Sequence, residues 1–303
     1  MEMTVHRFAP TVYYNTIGSH EPVLRIRNGD HVETSALDAW GMDCHGEVKA
    51  DRGNPMTGPF YIEGAEPGDI LAVHLDDLFP NRDWGWSANV IATNVLEPDF
   101  AAQLPNKEII RWHVDLEERW ARLADPSPSL ANLNLKLAPF MGCFGVAPPK
   151  GQAISTATSG PYGGNMDYSG FVSGTTAYFP VFVEGALLYV GDGHAVQGDG
   201  EIVGNGIEIS LDIRFTVNLI KGKTIRWPRG ESDTHIFTVG NARPLDQAVQ
   251  HATTEMLRWL KEDYGLNTSE ASILLSQCVE YDLGNIFNPA YTMACKLNKV
   301  FLP

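Results

Sequence analysis

Along the first two-thirds of the chain, apolar residues fall in short runs rich in Val, Ile, Tyr and Thr. Gly, Pro, Asn or Asp interrupt each run within a few positions. That rhythm predicts strands joined by tight turns. The clearest cases are Pro22 to Arg27, Gly68 to Leu75, Tyr178 to Val190 and Ile207 to Ile220. Strand follows strand, which disfavours a doubly wound α/β sheet and predicts a sandwich or barrel. Near the end the period changes. In PLDQAVQHATTEMLRWLKE, Pro244 to Glu262, the residues Leu245, Val249, Ala252, Met256, Leu257 and Leu260 recur at helical spacing. Gly265 stops that helix, and Asn267-Thr268-Ser269-Glu270 offers the start of a shorter one through Ala271 to Ser276. Val279 to Asp282 and Tyr291 to Leu297 read as returning strands.

The expected fold is therefore mainly β, a sandwich- or barrel-like body with a C-terminal α+β portion. Soft boundaries divide it into an N-terminal β-rich region (1–105), a central one (106–235) and the α+β end (236–303). One internal echo joins the first two regions: Glu63-Gly64-Ala65 before GDILAVHL, and Glu184-Gly185-Ala186 before LLYVGDGH. Both read as a turn feeding an apolar strand.

Composition narrows the partners. The chain of 303 residues carries 22 basic and 37 acidic side chains, a formal charge of −15, which repels phosphate backbones and anionic lipid. Neither nucleic acid nor a membrane is expected to bind. Cys44, Cys143, Cys278 and Cys295 form no CxxC pair, a poor disulfide framework that suits a reducing compartment. The N-terminus shows no basic stretch followed by an apolar run, so a cytoplasmic location is expected.

Chemistry concentrates in GDGHAVQGDGE, Gly191 to Glu201, directly after an apolar run. On an extended chain Asp192 and His194 project to one side, and so do Asp199 and Glu201. Carboxylates and an imidazole at a strand end suit a divalent metal, the alternative being an ordinary acidic turn. A second stretch, YGGNMD, places Asn165 and Asp167 beside paired glycines. A third, ETSALDAWGMDCHGE, holds Asp38, Asp43, Cys44 and His45 and reads equally as a ligand loop or a surface loop. In the fourth, GNPMTGPFYIEGAEPG, Pro59-Phe60-Tyr61 offers an apolar wall without reactive groups. Trp84 and Trp86 read as core or lid aromatics, with a pocket wall as the alternative.

Four of these segments resemble the acetamidase/formamidase family: ETSALDA (Glu33 to Ala39), NPMTGPFYIEGAEPGDILAVHL (Asn54 to Leu75), GGNMD (Gly163 to Asp167) and PVFVEGALLYVGDGHAVQGDGEIVGNGIE (Pro180 to Glu208). The closing VEYDLGNIFNPAYTMACKL resembles a drifted form of the family's last strands. The resemblance implies hydrolysis of short amides such as formamide or acetamide, a homo-oligomer of two or more chains, and a divalent metal. Zinc is the first expectation for that metal, with calcium, magnesium and manganese as alternatives. Carried over by position, the site candidates are Asp167, Asp192, His194 and Glu201, with Asp38 a further one. Ligand chemistry assigns Asp167, His194 and either Asp38 or Asp192 to the metal. Glu201 is the expected proton carrier, with Asp192 a second catalytic candidate, and Asn165 or a neighbouring backbone N–H is expected to steady the oxyanion.

The chain departs from the family in one loop. Where the family commonly has small residues and a Gly-Gln pair after the aspartate matched by Asp38, this chain has Trp40-Gly41-Met42-Asp43-Cys44-His45. A larger amide, or another C–N compound, is therefore a competing substrate class. A non-catalytic β-rich module holding a structural cation is the competing reading from outside enzymology. Nucleophilic routes find little support: no GGSSGG-like signature is present, and Cys44 and His45 are strand neighbours that point to opposite faces.

Overall fold

The computed structural model describes residues 4–303. Two large sheets carry the body, in keeping with the expected mainly-β fold. The nine-stranded sheet runs in the order Val5–Arg7, His31–Ala36, Leu211–Ile220, Ile70–Pro80, Thr176–Pro180, Arg229–Glu231, His235–Ala242, Tyr291–Asn298, Glu280–Asn285. The second sheet includes, in order, Gly163–Asn165, Phe140–Val146, Leu188–His194 and Met56–Ile62. Alternation specifies these faces: in Leu211–Ile220, Leu211, Ile213, Phe215 and Val217 are buried while Asp212 and Arg214 are exposed. The two sheets share one core, with the Phe60 and Phe215 rings 5.4 Å apart and Phe144 and Phe179 5.3 Å apart. A separate four-stranded sheet contains Trp84–Ala88 and Ile109–Asp115.

The long apolar run from Tyr178 to Val190 is not one strand. It divides into Thr176–Pro180 in the first sheet and Leu188–His194 in the second, joined by a corner at Glu184-Gly185-Ala186. The echoing Glu63-Gly64-Ala65 is the opposite corner, taking Met56–Ile62 into Ile70–Pro80. The corners bond each other: Ile62 N–H donates to Gly185 O at 3.0 Å and Gly185 N–H to Ala65 O at 2.9 Å. This pair of crossings fixes the start of Leu188–His194, the strand that delivers the site.

At the C-terminal end, helix Leu245–Tyr264 packs on His235–Ala242 and Tyr291–Asn298, with its own cluster of Ile236, Met256, Trp259, Leu260 and Leu297. Its buried face is rotated from the sequence expectation. Ala248 and Trp259 are buried, whereas Leu245 and Val249 are only half-buried. Glu255 is also inside, paired with Arg229 at 2.7 Å and Arg258 at 3.1 Å. The second helix, Thr268–Cys278, starts at the expected place and closes a capping box there: Glu270 N–H donates to Asn267 Oδ1 at 3.0 Å and Asn267 N–H to Glu270 Oε2 at 2.8 Å. Segments 1–105, 106–235 and 236–303 all contribute strands to the nine-stranded sheet. No helix among the described residues is long and apolar enough to cross a membrane.

Candidate metal centre

Strand Leu188–His194 brings Asp192 and His194 to one buried point, with His194 Nε2 3.6 Å from Asp192 Oδ1. The neighbouring strand Phe140–Val146 runs alongside, with Cys143 opposite Gly191. Gly142 is the necessary absence there: a Cβ at that position would collide with the Asp167 carboxylate and lie 2.8 Å from Asp192 Oδ2. Asp167 enters after the GGN strand, its N–H bonded to Gly142 O at 3.0 Å. The second acidic pair behaves differently. Asp199–Glu201 winds into a 3-10 turn instead of staying extended, so Asp199 faces solvent while Glu201 turns inward. Asp167, Asp192 and Glu201 all hold left-handed backbone, with φ of 45°, 58° and 48°. Each such residue costs on the order of 1 kcal/mol, and this cost clusters where the side chains converge.

The ligand atoms of Asp167, His194 and Glu201 lie within 4.8 Å of one another, and so do those of Asp192, His194 and Glu208. All five residues are buried. His194 Nε2 stands 3.0 Å from Glu208 Oε1 and 3.6 Å from Asp192 Oδ1. One atom of each residue lacks a hydrogen bond: Asp167 Oδ1, Asp192 Oδ1, His194 Nε2, Glu201 Oε2 and Glu208 Oε2. No Lys or Arg pairs with any of these carboxylates among the described residues.

The opposite atoms are firmly held. Asp192 Oδ2 accepts from Asn54 Nδ2 at 2.9 Å, and Asp167 Oδ2 accepts from Asn288 Nδ2 at 2.6 Å and Asn285 Nδ2 at 3.3 Å. Gln197 Nε2 donates to the carbonyls of Asp167 and Gly284, which fixes its amide orientation. Its Oε1 therefore accepts from His194 Nδ1–H at 2.8 Å and leaves Nε2 as the inward-facing atom.

Electrostatics agrees with this packing. Burial, reinforced by the charge of Asp192, raises the Asp167 pKa well above the carboxylate range. Burial and the Asp167 charge do the same for Glu201. Burial pushes Glu208 up to about 7, with Asp192 adding and His194 opposing. Burial alone would lower His194, but Glu208 and Asp192 outweigh it and hold the imidazole well above its usual value. One imidazole with several carboxylate oxygens is a donor set that zinc accepts, and it fits a divalent ion better than any pairing within the chain.

Asp38 is not part of the cluster. It is fully buried, but its Oδ2 accepts from Arg82 at 2.8 Å and Trp86 Nε1 at 3.1 Å, and its Oδ1 from the N–H groups of Trp40 and Met42. With every lone-pair direction used, it has none to offer a metal. Asn165 does line the cavity beside the cluster, and its Oδ1 accepts from Asn54 at 2.8 Å. Phe60 lies in the core and walls no pocket; Trp86 lines the cavity, while Trp84 packs between Arg82 and Arg111. Cys44 is exposed, and the buried Cys143 thiol is pushed well up by burial and the nearby aspartates. Sequence reasoning passed over Glu208, Asn54, Gln197, Asn285 and Asn288. Glu208 had a faint signal, a polar position between Ile207 and Ile209 beside the acidic motif.

Fold and site together define a β-sandwich protein built around a buried carboxylate–imidazole cluster suited to a divalent cation. The sequence matches the acetamidase/formamidase family over residues 19–153 and 150–288, and the chain belongs to that family. A formamidase of Methylophilus methylotrophus is 30% identical over 250 residues, 66% of this chain and 61% of the relative. The chain thus spans about three-fifths of that curated relative's length. Among solved structures, an acetamidase of Yersinia enterocolitica has a TM-score of 0.87 at 30% identity, covering 100% of this chain and 94% of the other. An acetamidase of Bacillus halodurans follows with 0.84 at 30% identity, covering 97% and 98%.

Proposed function

We propose that this chain hydrolyses carboxylic amides in a metal-dependent reaction, with formamide and acetamide as reference substrates. Water is consumed, the C–N bond breaks, a C–O bond forms, and ammonia and the carboxylic acid leave. The observation that carries this reading is that buried carboxylates gather on His194 in two groups, Asp167 with Glu201 and Asp192 with Glu208, each of the five residues having one atom without a hydrogen-bond partner. His194 Nε2, Asp167 Oδ1 and Asp192 Oδ1, joined by Glu208, would hold the ion, zinc being the best match to the donors. A bound divalent cation supplies carbonyl polarisation and acidified water.

The remaining work falls to the chain. Glu201 lines the cavity, unlike the deeper Asp167 and His194. Its carboxylate, facing the cavity beside the cluster, is placed to take a proton from water and return it to the leaving nitrogen. Asn165, its oxygen engaged by Asn54, keeps its N–H donors for the developing oxyanion. Family membership and relatives bearing acetamidase and formamidase names support the amide chemistry. In an ammonia-release assay, Glu201→Gln is expected to lose about 10²–10⁴ in rate while the Tm stays within a few degrees. Full activity in that variant, or after chelation, would remove the scheme.

A further inference from the structure

We infer that this site selects amides whose acyl group carries a flat aromatic ring, as in arylacetamides, with Trp40 and Trp86 setting that preference. The inference rests on the amidase reading above and concerns the part of the cavity that the cluster does not use. The cavity measures about 320 Å³. At roughly 30 Å³ per water it has room for about ten waters, far more than acetamide would displace. Beyond Asp192, Glu201 and Glu208 its lining includes the large apolar side chains Trp40, Trp86, Ile109 and Phe287, set among the polar Arg52, Lys107 and Asn205. Ile109 and Phe287 are 45% and 39% exposed, so large apolar surface faces water at the mouth.

The aromatic wall is built, not incidental. The Trp40 and Trp86 rings stack at 3.8 Å and 23°, and Arg52 lies over Trp40 at 4.4 Å. Asp38 holds both: its carboxylate takes the Trp86 indole N–H and the Trp40 backbone N–H, while Arg82 holds Asp38. Trp86 also pairs through its backbone with Glu208, 2.8 Å from Glu208 N to Trp86 O. The wall therefore begins one residue from the reacting centre. A carboxamide placed at the cluster would lay its acyl substituent against the Trp40–Trp86 pair, where an aromatic ring packs on the edges of the pair and leaves water. Asp38, buried and saturated, is the positioning residue for this wall.

The test is the ratio of kcat/KM for phenylacetamide to that for acetamide, measured by ammonia release from the full chain. The wild type is expected to favour phenylacetamide about tenfold or more. Trp40→Ala should cut that ratio about tenfold, chiefly through the KM for phenylacetamide; Trp40→Leu should cut it severalfold, and Trp40→Phe should keep most of it. Trp40 is only half-buried, and the Leu and Phe variants decide the matter if the Ala variant folds poorly. A wild-type ratio at or below one overturns the inference, as does a ratio that Trp40→Ala and Trp40→Leu leave within twofold. Acetamide turnover alone would then preserve the amidase reading, whereas no ammonia from either amide would sink both.

Discussion

Asp38 and Asp167 are equally inaccessible, each at 0% exposure, yet their surroundings are opposite. Asp38 meets a guanidinium, an indole N–H and two backbone N–H groups. Asp167 has one oxygen held by two asparagines and the other with no partner, among three further carboxylates and one imidazole. The same contrast separates Glu255, gripped by Arg229 and Arg258, from Glu201 and Glu208. A buried charge whose partners are all supplied by the chain is structural. A group of buried charges that the chain leaves unbalanced marks a place for a cation.

Exchanging each aspartate for its isosteric amide breaks this comparison most directly. Asp167→Asn should lower divalent-cation affinity by about 100-fold or more, beyond the loss usual for an outer-shell group, with the stripped protein at least as stable as before. Asp38→Asn should do the reverse. It leaves Arg82 buried without its charge, costs roughly 3–5 kcal/mol and lowers the Tm by about 5–10 °C, while metal stoichiometry stays unchanged. Calorimetric metal titration and thermal melts separate the two outcomes, and equal effects on both readouts would erase the distinction. Next in size, Asn288→Ala should weaken cation binding by about 10–100-fold, since its amide orients Asp167.

The pH response of the metal-stripped protein sharpens the same contrast. Asp167, Glu201, Glu208 and His194 all have raised pKa values in the folded state, so the fold binds more protons than the unfolded chain. The stabilisation is complete at low pH; the share of Glu208 is lost as pH rises from 4.5 through about 7, and that of His194 only above its usual 6.5. The stripped Tm should fall across that window, and Glu208→Gln should flatten the fall; a Tm that rises with pH there would contradict the assignment. The smallest effect is expected of Cys44→Ser, which should keep amide turnover within about twofold because the thiol is exposed and away from the cluster.

Strands, helices and the helix start at Asn267 were legible because alternation, helical period and cap chemistry are local. The core of the site was legible for a similar reason: Asp192, His194 and Glu201 share one segment, and Asp167 sits in a glycine-flanked motif. Errors arose where the third dimension decides. Asp199 was expected beside Glu201, but the chain coils there and turns it to solvent. Asp38 read as a ligand because Arg82, 44 residues away, gives no sequence sign of reaching it. Glu208 was passed over as one polar position in an apolar run, yet it lines the cavity. Asn54, Asn285 and Asn288 are single amides brought to the carboxylates only by the two sheets closing around them.

The most direct test of the central claim is the metal content of the purified protein after reconstitution with zinc or manganese, set beside that of Asp167→Asn. The account expects about one tightly held divalent ion per chain, a raised Tm, and loss of both in the variant. A wild-type protein that retains no ion and melts at the same temperature with or without metal would contradict it.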